Sequence, residues 1–450
     1  MKISENQFAI ASVASTFCLL FIWVIPNTIA LRHLLLVTGC LSAIGIIRYN
    51  WSKLRSLDGS YFPLLSILGL FIWVLVHSAF FSLNPSLEFS EIRGLWMRSL
   101  VGAFAAVGLG IAIVKYAKLR LYFYLALFST PLINLVAYCW ASYLNHGFLK
   151  PFDFIFFLYG KIEAAYFGAI AAAVSTANLI SLMVGKIDEL KVKQVFLWLL
   201  GLVLVLISDL ISGTKNGIAI ALALCLIFAV VVVINSLLFK GGSKLLSAFV
   251  VIAIVLLSLV IWKGHTSSAY RGWDTVFQDA AVGFDIDGNK QWQKDEYSIS
   301  MPLNSSGAPV AINTYIRAAY AAVGVRLISQ YPLGYGSINQ SFKGLQEHAQ
   351  IPHEHEGQVH SGWIDFGLAF GVPGLVLIFS CMLSTIYFGL KSKSSIALPW
   401  VIVCLAFIPF GLIAEISYKQ YFEATIFFLT LGSTVIIFTG DRFQENLKKT

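Results

Sequence analysis

Residues 216–239 read NGIAIALALCLIFAVVVVINSLLF, a run without a single charge. A helix rises 1.5 Å per residue, so about 20 such residues cross a hydrocarbon core of roughly 30 Å. A barrel strand would alternate apolar with polar residues, and this run does not. Similar runs recur along the chain, giving expected spans at 8–25, 29–47, 61–81, 95–114, 121–144, 162–183, 195–212, 216–239, 245–263, 365–390, 396–414 and 421–439. The first is expected to be a retained helix, because no small-residue cleavage site follows a short apolar core. Composition agrees: 58% of the residues are hydrophobic and 12% charged, against about 25% charged in a soluble domain. The expected fold class is an all-α polytopic membrane protein with about 12 transmembrane helices.

Basic residues set the orientation. With the N-terminus in the cytoplasm, short inner segments hold 17 of the 31 Lys and Arg residues, among them Arg48, Lys53, Lys115, Lys118, Lys186, Lys240, Lys391 and Arg442. Short outer segments hold 7, and the long hydrophilic segment together with Lys263 at its entry holds the other 7. Lys and Arg in short loops decide topology, so both termini are expected inside and the long segment outside. The chain then divides into 1–263 with nine transmembrane helices, a loop at 264–362 with short helices, and 363–450 with three transmembrane helices and a cytoplasmic tail. The net charge of +8 is a topology signal, and nucleic acid is not an expected partner. All six cysteines fall inside spans and read as small packing residues rather than disulfide partners or metal ligands.

Ionisable residues outside the cytoplasmic flanks gather at the outer helix ends. They include Arg32, His33, His77, Arg93, Arg98, Lys161, Glu163, Asp209, Lys215, Glu415, Lys419 and Glu423. The span centres are almost free of charge, whereas secondary transporters place polar groups and broken helices at the midplane. An outward polar layer points to chemistry at headgroup depth. The alternative reading for each residue alone is ordinary snorkelling.

Within the long loop, residues 313–330 read as a helix, with Asn313 or Thr314 as cap and a stripe of Ile316, Tyr320, Val323 and Leu327 at helical spacing. Tyr331-Pro332 ends it, and Gly334 and Gly336 make a tight turn. Arg317 and Arg326 are nine positions apart, which at 100° per residue puts them on opposite faces unless Gly324 bends the helix. His353-Glu354-His355-Glu356 has i, i+2 spacing rather than the i, i+4 pair of a helical zinc site, so it reads as hydrated loop and no metal is assigned. His360 lies where the apolar run resumes. A free imidazole has a pKa of about 6.5, so at that depth it can accept a proton from a hydroxyl.

The order Arg317, then Pro332-Leu333-Gly334-Tyr335-Gly336, then His360-Ser361-Gly362-Trp363-Ile364-Asp365, then Gly371-Val372-Pro373-Gly374 resembles the O-antigen ligase and polymerase superfamily. The motifs cover roughly residues 200–390, and the topology covers the whole chain. The resemblance implies a GT-C-like glycosyltransferase architecture with one large periplasmic loop, in the bacterial inner membrane, with the active site facing the periplasm. It implies a catalytic role for His360 and diphosphate contacts for Arg317. Where the family carries a further arginine, this chain has Ser212-Gly-Thr-Lys215, which keeps the charge but loses the bidentate fork. Lys215, Arg317 and Arg326 are therefore the expected diphosphate-binding residues.

The implied reaction moves a glycan from undecaprenyl diphosphate to a hydroxyl. The acceptor is a lipid A-core sugar in a ligase, or another carrier-linked repeat in a polymerase. Other partners are membrane lipids, and no cofactor is implied. Fixed cations stabilise the departing phosphate, and Trp363 and Tyr335 are candidates either for stacking on sugars or for interfacial packing. A lipid-linked sugar flippase is the alternative of another class. It predicts a hydrophilic path through the bilayer centre.

Overall fold

The computed structural model describes residues 4–54, 59–150, 160–183, 189–238, 275–294, 300–352, 357–392, 394–415 and 419–439, with a few single residues between 248 and 263. Among them there is no strand, only an isolated antiparallel bridge between Leu303 and Pro309. The chain is an all-α membrane protein. Its helices are α1 (Glu5–Ile22), α2 (Ile29–Leu54), α3 (Phe62–Phe80), α4 (Pro85–Glu91), α5 (Met97–Lys115), α6 (Ala117–Ala126), α7 (Ser129–Leu144), α8 (Lys161–Met183), α9 (Glu189–Ile211), α10 (Lys215–Leu238), α11 (Val276–Phe284), α12 (Ile312–Gln330), α13 (Ser341–His348), α14 (Gly362–Ser392), α15 (Leu398–Ile413) and α16 (Lys419–Thr439).

Among the described residues, ten helical stretches are long and apolar enough to cross a membrane, and Leu398–Ile413 is a shorter apolar helix. Together they account for the expected spans except 245–263, most of which lies outside the described residues. Two expected spans are compound. The stretch at 95–114 begins earlier, at Pro85, and passes through a π-helical turn at Ile92–Trp96 before α5. The stretch at 121–144 breaks between α6 and α7.

The bundle is arranged around α16, whose membrane-crossing stretch Gln420–Thr439 is wholly buried among its neighbours. It packs on α5, α14, α3 and α15. In lipid a helix gains little by hiding apolar surface, so close packing must hold the bundle. At the loop-side end, the Trp96 ring makes edge contacts with both Phe370 and Phe422. Tyr166 stacks on Phe407 and meets Phe410 and Tyr421. At the opposite end, Lys115 donates to Glu5 at 2.6 Å and to Asn50 at 2.8 Å.

The loop has its own small core. Ile316, Tyr320, Val323 and Leu327 of α12 are buried as expected, with Trp292, Phe342 and Leu345. Helix α12 is continuous, and Gly324 does not bend it. A Cβ there would lie 2.5 Å from Ile364 Cγ2, so the glycine serves close packing on α14. The cap differs from expectation. The helix starts at Ile312, the N-cap is Ala311, and neither Asn313 nor Thr314 caps it. Instead the Ala311 N–H donates to Asp279 Oδ2 at 3.1 Å. Asp279 also accepts from Asn304 and Thr275, which satisfies both of its oxygens.

Candidate functional site

Two glycine motifs form a clasp that fixes the loop to the bundle. At Gly371 the backbone leaves the helical region, with φ 66° and ψ −168°, and α14 is interrupted. The carbonyls freed above the break are taken up by the Pro332–Gly336 turn. Tyr335 N–H donates to Leu368 O at 2.8 Å, Gly336 N–H to Ala369 O at 2.7 Å, and Val372 N–H to Pro332 O at 2.8 Å. Trp73 Nε1–H closes the set by donating to Phe370 O at 2.9 Å. The next residues are gripped by Glu91, which accepts from Ser337 Oγ, the amides of Ile338 and Asn339, and Asn339 Nδ2. The turn is therefore structural, and it sets where α12 ends and where the chain resumes toward His360.

The second fixture is the end of α15. Trp363 Nε1–H donates to Ile408 O at 2.8 Å, Ser361 Oγ–H to Gly411 O at 3.4 Å, and Gly362 N–H to Ala414 O at 2.9 Å. From another side, Asn216 Nδ2–H donates to Ile413 O at 2.6 Å. The starts of α10 and α14 are thus tied to one helix end, which places Lys215, His360 and Glu415 around it. His360 takes a left-handed conformation, φ 63°, uncommon for a residue with a side chain and often found at functional sites. The neighbouring Val359 N–H donates to the buried Asp365 at 2.7 Å, which holds the bend.

His360 Nδ1 hydrogen-bonds Glu415 Oε1. A carboxylate only accepts, so Nδ1 carries the proton, and in the neutral ring the lone pair sits on Nε2. Burial works to raise the Glu415 pKa. The hydrogen bond from His360 and the charges of His360, Arg317 and Lys161 outweigh it and hold the carboxyl below its usual range. The pair is neither sealed nor fully wet, with side-chain exposures of 29% for His360 and 18% for Glu415.

Two cations, Arg317 and Lys161, act on this pair, and a third, Lys215, acts on Lys161. Lys161, the first residue of α8, is within electrostatic reach of Arg317, Lys215 and Glu415. Lys215 is the first residue of α10, and Arg317 is exposed on α12. The turn that presents Lys215 is buried and polar. Thr214 N–H donates to Asp209 O at 3.0 Å, Thr214 Oγ–H to Asp209 Oδ1 at 3.3 Å, and Asn134 Nδ2–H to Ser208 and Ser212. The N-termini of α8, α10 and α14 all open here, and each adds about half a positive charge. Three like charges held together repel one another, and Glu415 lies among them. The arrangement suits an anion, with a proton acceptor beside it.

Of the expected site residues, Lys215, Arg317 and His360 are brought together. Arg326 is held elsewhere, paired with Asp287 through NH1 at 2.9 Å and NH2 at 2.6 Å on the opposite face of α12. His353 and His355 lie outside the described residues. Trp363 is buried against Phe379, so it packs rather than presenting a face to a sugar. Tyr335 accepts from Asn84 Nδ2 at 3.2 Å and covers Gly344. Lys161 and Glu415 were not singled out by sequence. Their only signal was membership of the outer polar layer, since each stands alone at a helix end far from the loop in sequence.

Residues 200–379 match the family model described as O-antigen ligase. This supports the O-antigen ligase superfamily over the part of the chain that carries the motifs, and with it a ligase- or polymerase-like function. The matched segment contains Lys215, Arg317 and His360, and Lys161 and Glu415 lie outside it. No curated protein matches the chain.

Proposed function

We propose, taking the O-antigen ligase family as the premise, that this chain moves a glycan from undecaprenyl diphosphate to a lipid A-core hydroxyl at the periplasmic face of the inner membrane. The observation that carries the reading is the His360–Glu415 pair set among Lys161, Lys215 and Arg317. The acceptor hydroxyl gives its proton to His360 Nε2 while its oxygen bonds the anomeric carbon. The bond from that carbon to the carrier phosphate breaks, and the electron pair leaves on the diphosphate. Glu415 holds the ring in the tautomer that accepts and stabilises the imidazolium that forms. The cations and helix N-termini are fixed before reaction, so they stabilise the growing charge on the leaving phosphate without reorganising. Arg326 is outside this proposal, since its guanidinium is committed to Asp287.

Deletion followed by gel separation of lipopolysaccharide tests the reading. Loss of a ligase leaves bare core with long polymer stranded on the carrier. Core capped with a single repeat identifies a polymerase instead, and bare core with carrier-linked repeats trapped on the cytoplasmic side identifies a flippase.

A further inference from the structure

A second group of basic side chains lies at the loop-side end of the bundle, across the first turn of α16 from His360. Arg98 of α5 donates through Nε to Glu423 of α16 at 2.5 Å. Arg32 of α2 donates through NH1 to Trp23 O at 3.4 Å and is within electrostatic reach of the same carboxylate. His33 is exposed and within reach of both arginines. Among the described residues Arg98 is engaged only through Nε, and a third of its side chain is exposed. Below this group α2 shows bare apolar surface, with Leu31 at 47% and Leu34 at 62% exposure. The group thus sits between a lipid-facing flank and the water boundary.

Its relation to the proposed active site follows from the phase of α16. Tyr421 makes ring contact with Tyr166 of α8, the helix that begins at Lys161. Glu423, two residues on, pairs with Arg98 of α5. Two residues turn a helix by about 200°, so the two cation groups flank one helix on opposite sides. A transfer between two lipids must hold two anionic headgroups at the same depth, side by side. One group is positioned for the donor diphosphate, and the other stands on the opposite side of α16, where a second headgroup would lie.

We propose that Arg32, His33 and Arg98 form the docking site for a phosphate of the acceptor lipid. The inference rests on the glycosyl-transfer reading. The ligand is a phosphate-bearing lipid rather than a soluble phosphate, because the group opens onto the apolar flank of α2. Glu423 keeps Arg98 oriented and limits the attraction, which suits an acceptor that must leave after each turnover.

The test uses the full-length protein in two measurements. Native mass spectrometry compares retention of diphosphorylated lipid A, enzymatically dephosphorylated lipid A and inorganic phosphate. The wild type should retain the phosphorylated lipid about ten-fold more than the dephosphorylated one, and Arg32→Gln should lose that preference. Because Arg98→Gln alone strands a buried carboxylate, the double variant Arg98→Gln/Glu423→Gln, which removes both charges, is the second probe. Reconstituted transfer should then show the acceptor KM raised about ten-fold in both variants, with donor KM and kcat near wild type. Equal retention of phosphorylated and dephosphorylated lipid, retention of free phosphate alone, or a shift in donor KM overturns the docking site. Absence of transfer in the wild type, with the lipid preference intact, overturns the glycosyl-transfer reading and leaves the binding site standing.

Discussion

Gly334 and Gly371 meet backbone to backbone, so that a Cβ on Gly334 would lie 2.6 Å from the Gly371 amide nitrogen. Both residues have positive φ, 97° and 66°. A Cβ on Gly371 would in turn overlap the backbone of Pro332 and Leu333. The two motifs that dominate this stretch of sequence are the halves of one contact. Their glycines are there because two chain segments approach too closely for any side chain.

Alanine at either position should therefore damage folding rather than chemistry. The left-handed conformation alone costs about 1–2 kcal/mol with a Cβ, and the overlap adds to it. Gly307 is the internal control, since its φ is 77° and nothing lies within 4 Å of its Cβ position. Thermal unfolding in detergent should place Gly307→Ala below wild type by this conformational cost alone, and Gly334→Ala and Gly371→Ala clearly below Gly307→Ala. Equal unfolding temperatures for all three would mean that the clasp carries no stability.

The class, most spans and the polar layer at the loop-side helix ends were legible because lipid imposes a strong rule, that an unbroken apolar run of helical length has few other uses. The stripe on α12 was legible for a similar reason, since periodicity survives without knowledge of a partner. The break at Gly371 was not, because an interrupted helix at that depth is tolerated only where other protein groups take up its carbonyls. Here those groups are Tyr335, Gly336 and Trp73, 297 positions from Phe370 in the case of Trp73. Glu415 was hidden for the same cause. A single acid after an apolar helix looks like any interfacial charge until the fold sets His360 against it. The helix-phase argument did separate Arg317 from Arg326, but phase could not reveal that Asp287 holds the second.

The cation group gives a graded expectation. Lys161→Ala, Lys215→Ala and Arg317→Ala should each lower transfer by about 10²-fold, the scale on which a fixed stabilising group acts in a transition state. Lys215→Arg should keep substantial activity, since the position needs positive charge. Arg326→Ala removes a surface pair with Asp287 and should change transfer by less than about two-fold, because exposed ion pairs contribute at most about 1 kcal/mol. Rates measured at equal protein level decide this. If Arg326→Ala proves the most damaging of the four, the assignment of the anion site to the opposite face of α12 fails.

Orientation can be read with thiol reagents. In a background without native cysteines, Ser306→Cys should react with an impermeant maleimide in intact spheroplasts, and Ser394→Cys should react only after the membrane is opened. Ser306 is exposed in the loop and Ser394 lies between α14 and α15, so the two report on opposite faces. The reverse pattern would place the His360 face in the cytoplasm and exclude a periplasmic reaction.

The last expectation concerns His360 and Glu415 as a unit. Loss of a general base costs about 10²- to 10⁴-fold in rate, so His360→Ala should insert normally and transfer almost nothing. Glu415→Gln should fall between that variant and wild type, because the base remains but nothing fixes its tautomer. The double variant should be no worse than His360→Ala alone, as residues acting as a unit are not additive. The pH profile adds a direction. The Glu415 carboxyl is held below its ordinary value of 4.5, so it contributes to the folded pair above that pH and loses this contribution as pH falls through its lowered value. Between pH 5 and 8 it therefore stays ionised, and the acid limb of the rate belongs to His360 taking up a proton. Removing the negative charge in Glu415→Gln makes the imidazolium less stable, so the acid limb should move to lower pH while the plateau drops. Transfer should also persist in chelator, since the proposed diphosphate site is built from Lys161, Lys215 and Arg317 and invokes no divalent ion. Reconstituted transfer from a lipid diphosphate donor across this pH range is the measurement. An acid limb that stays in place in Glu415→Gln, or a chelator effect reversed by a divalent ion, would show that the pair does not work as the acceptor of the hydroxyl proton.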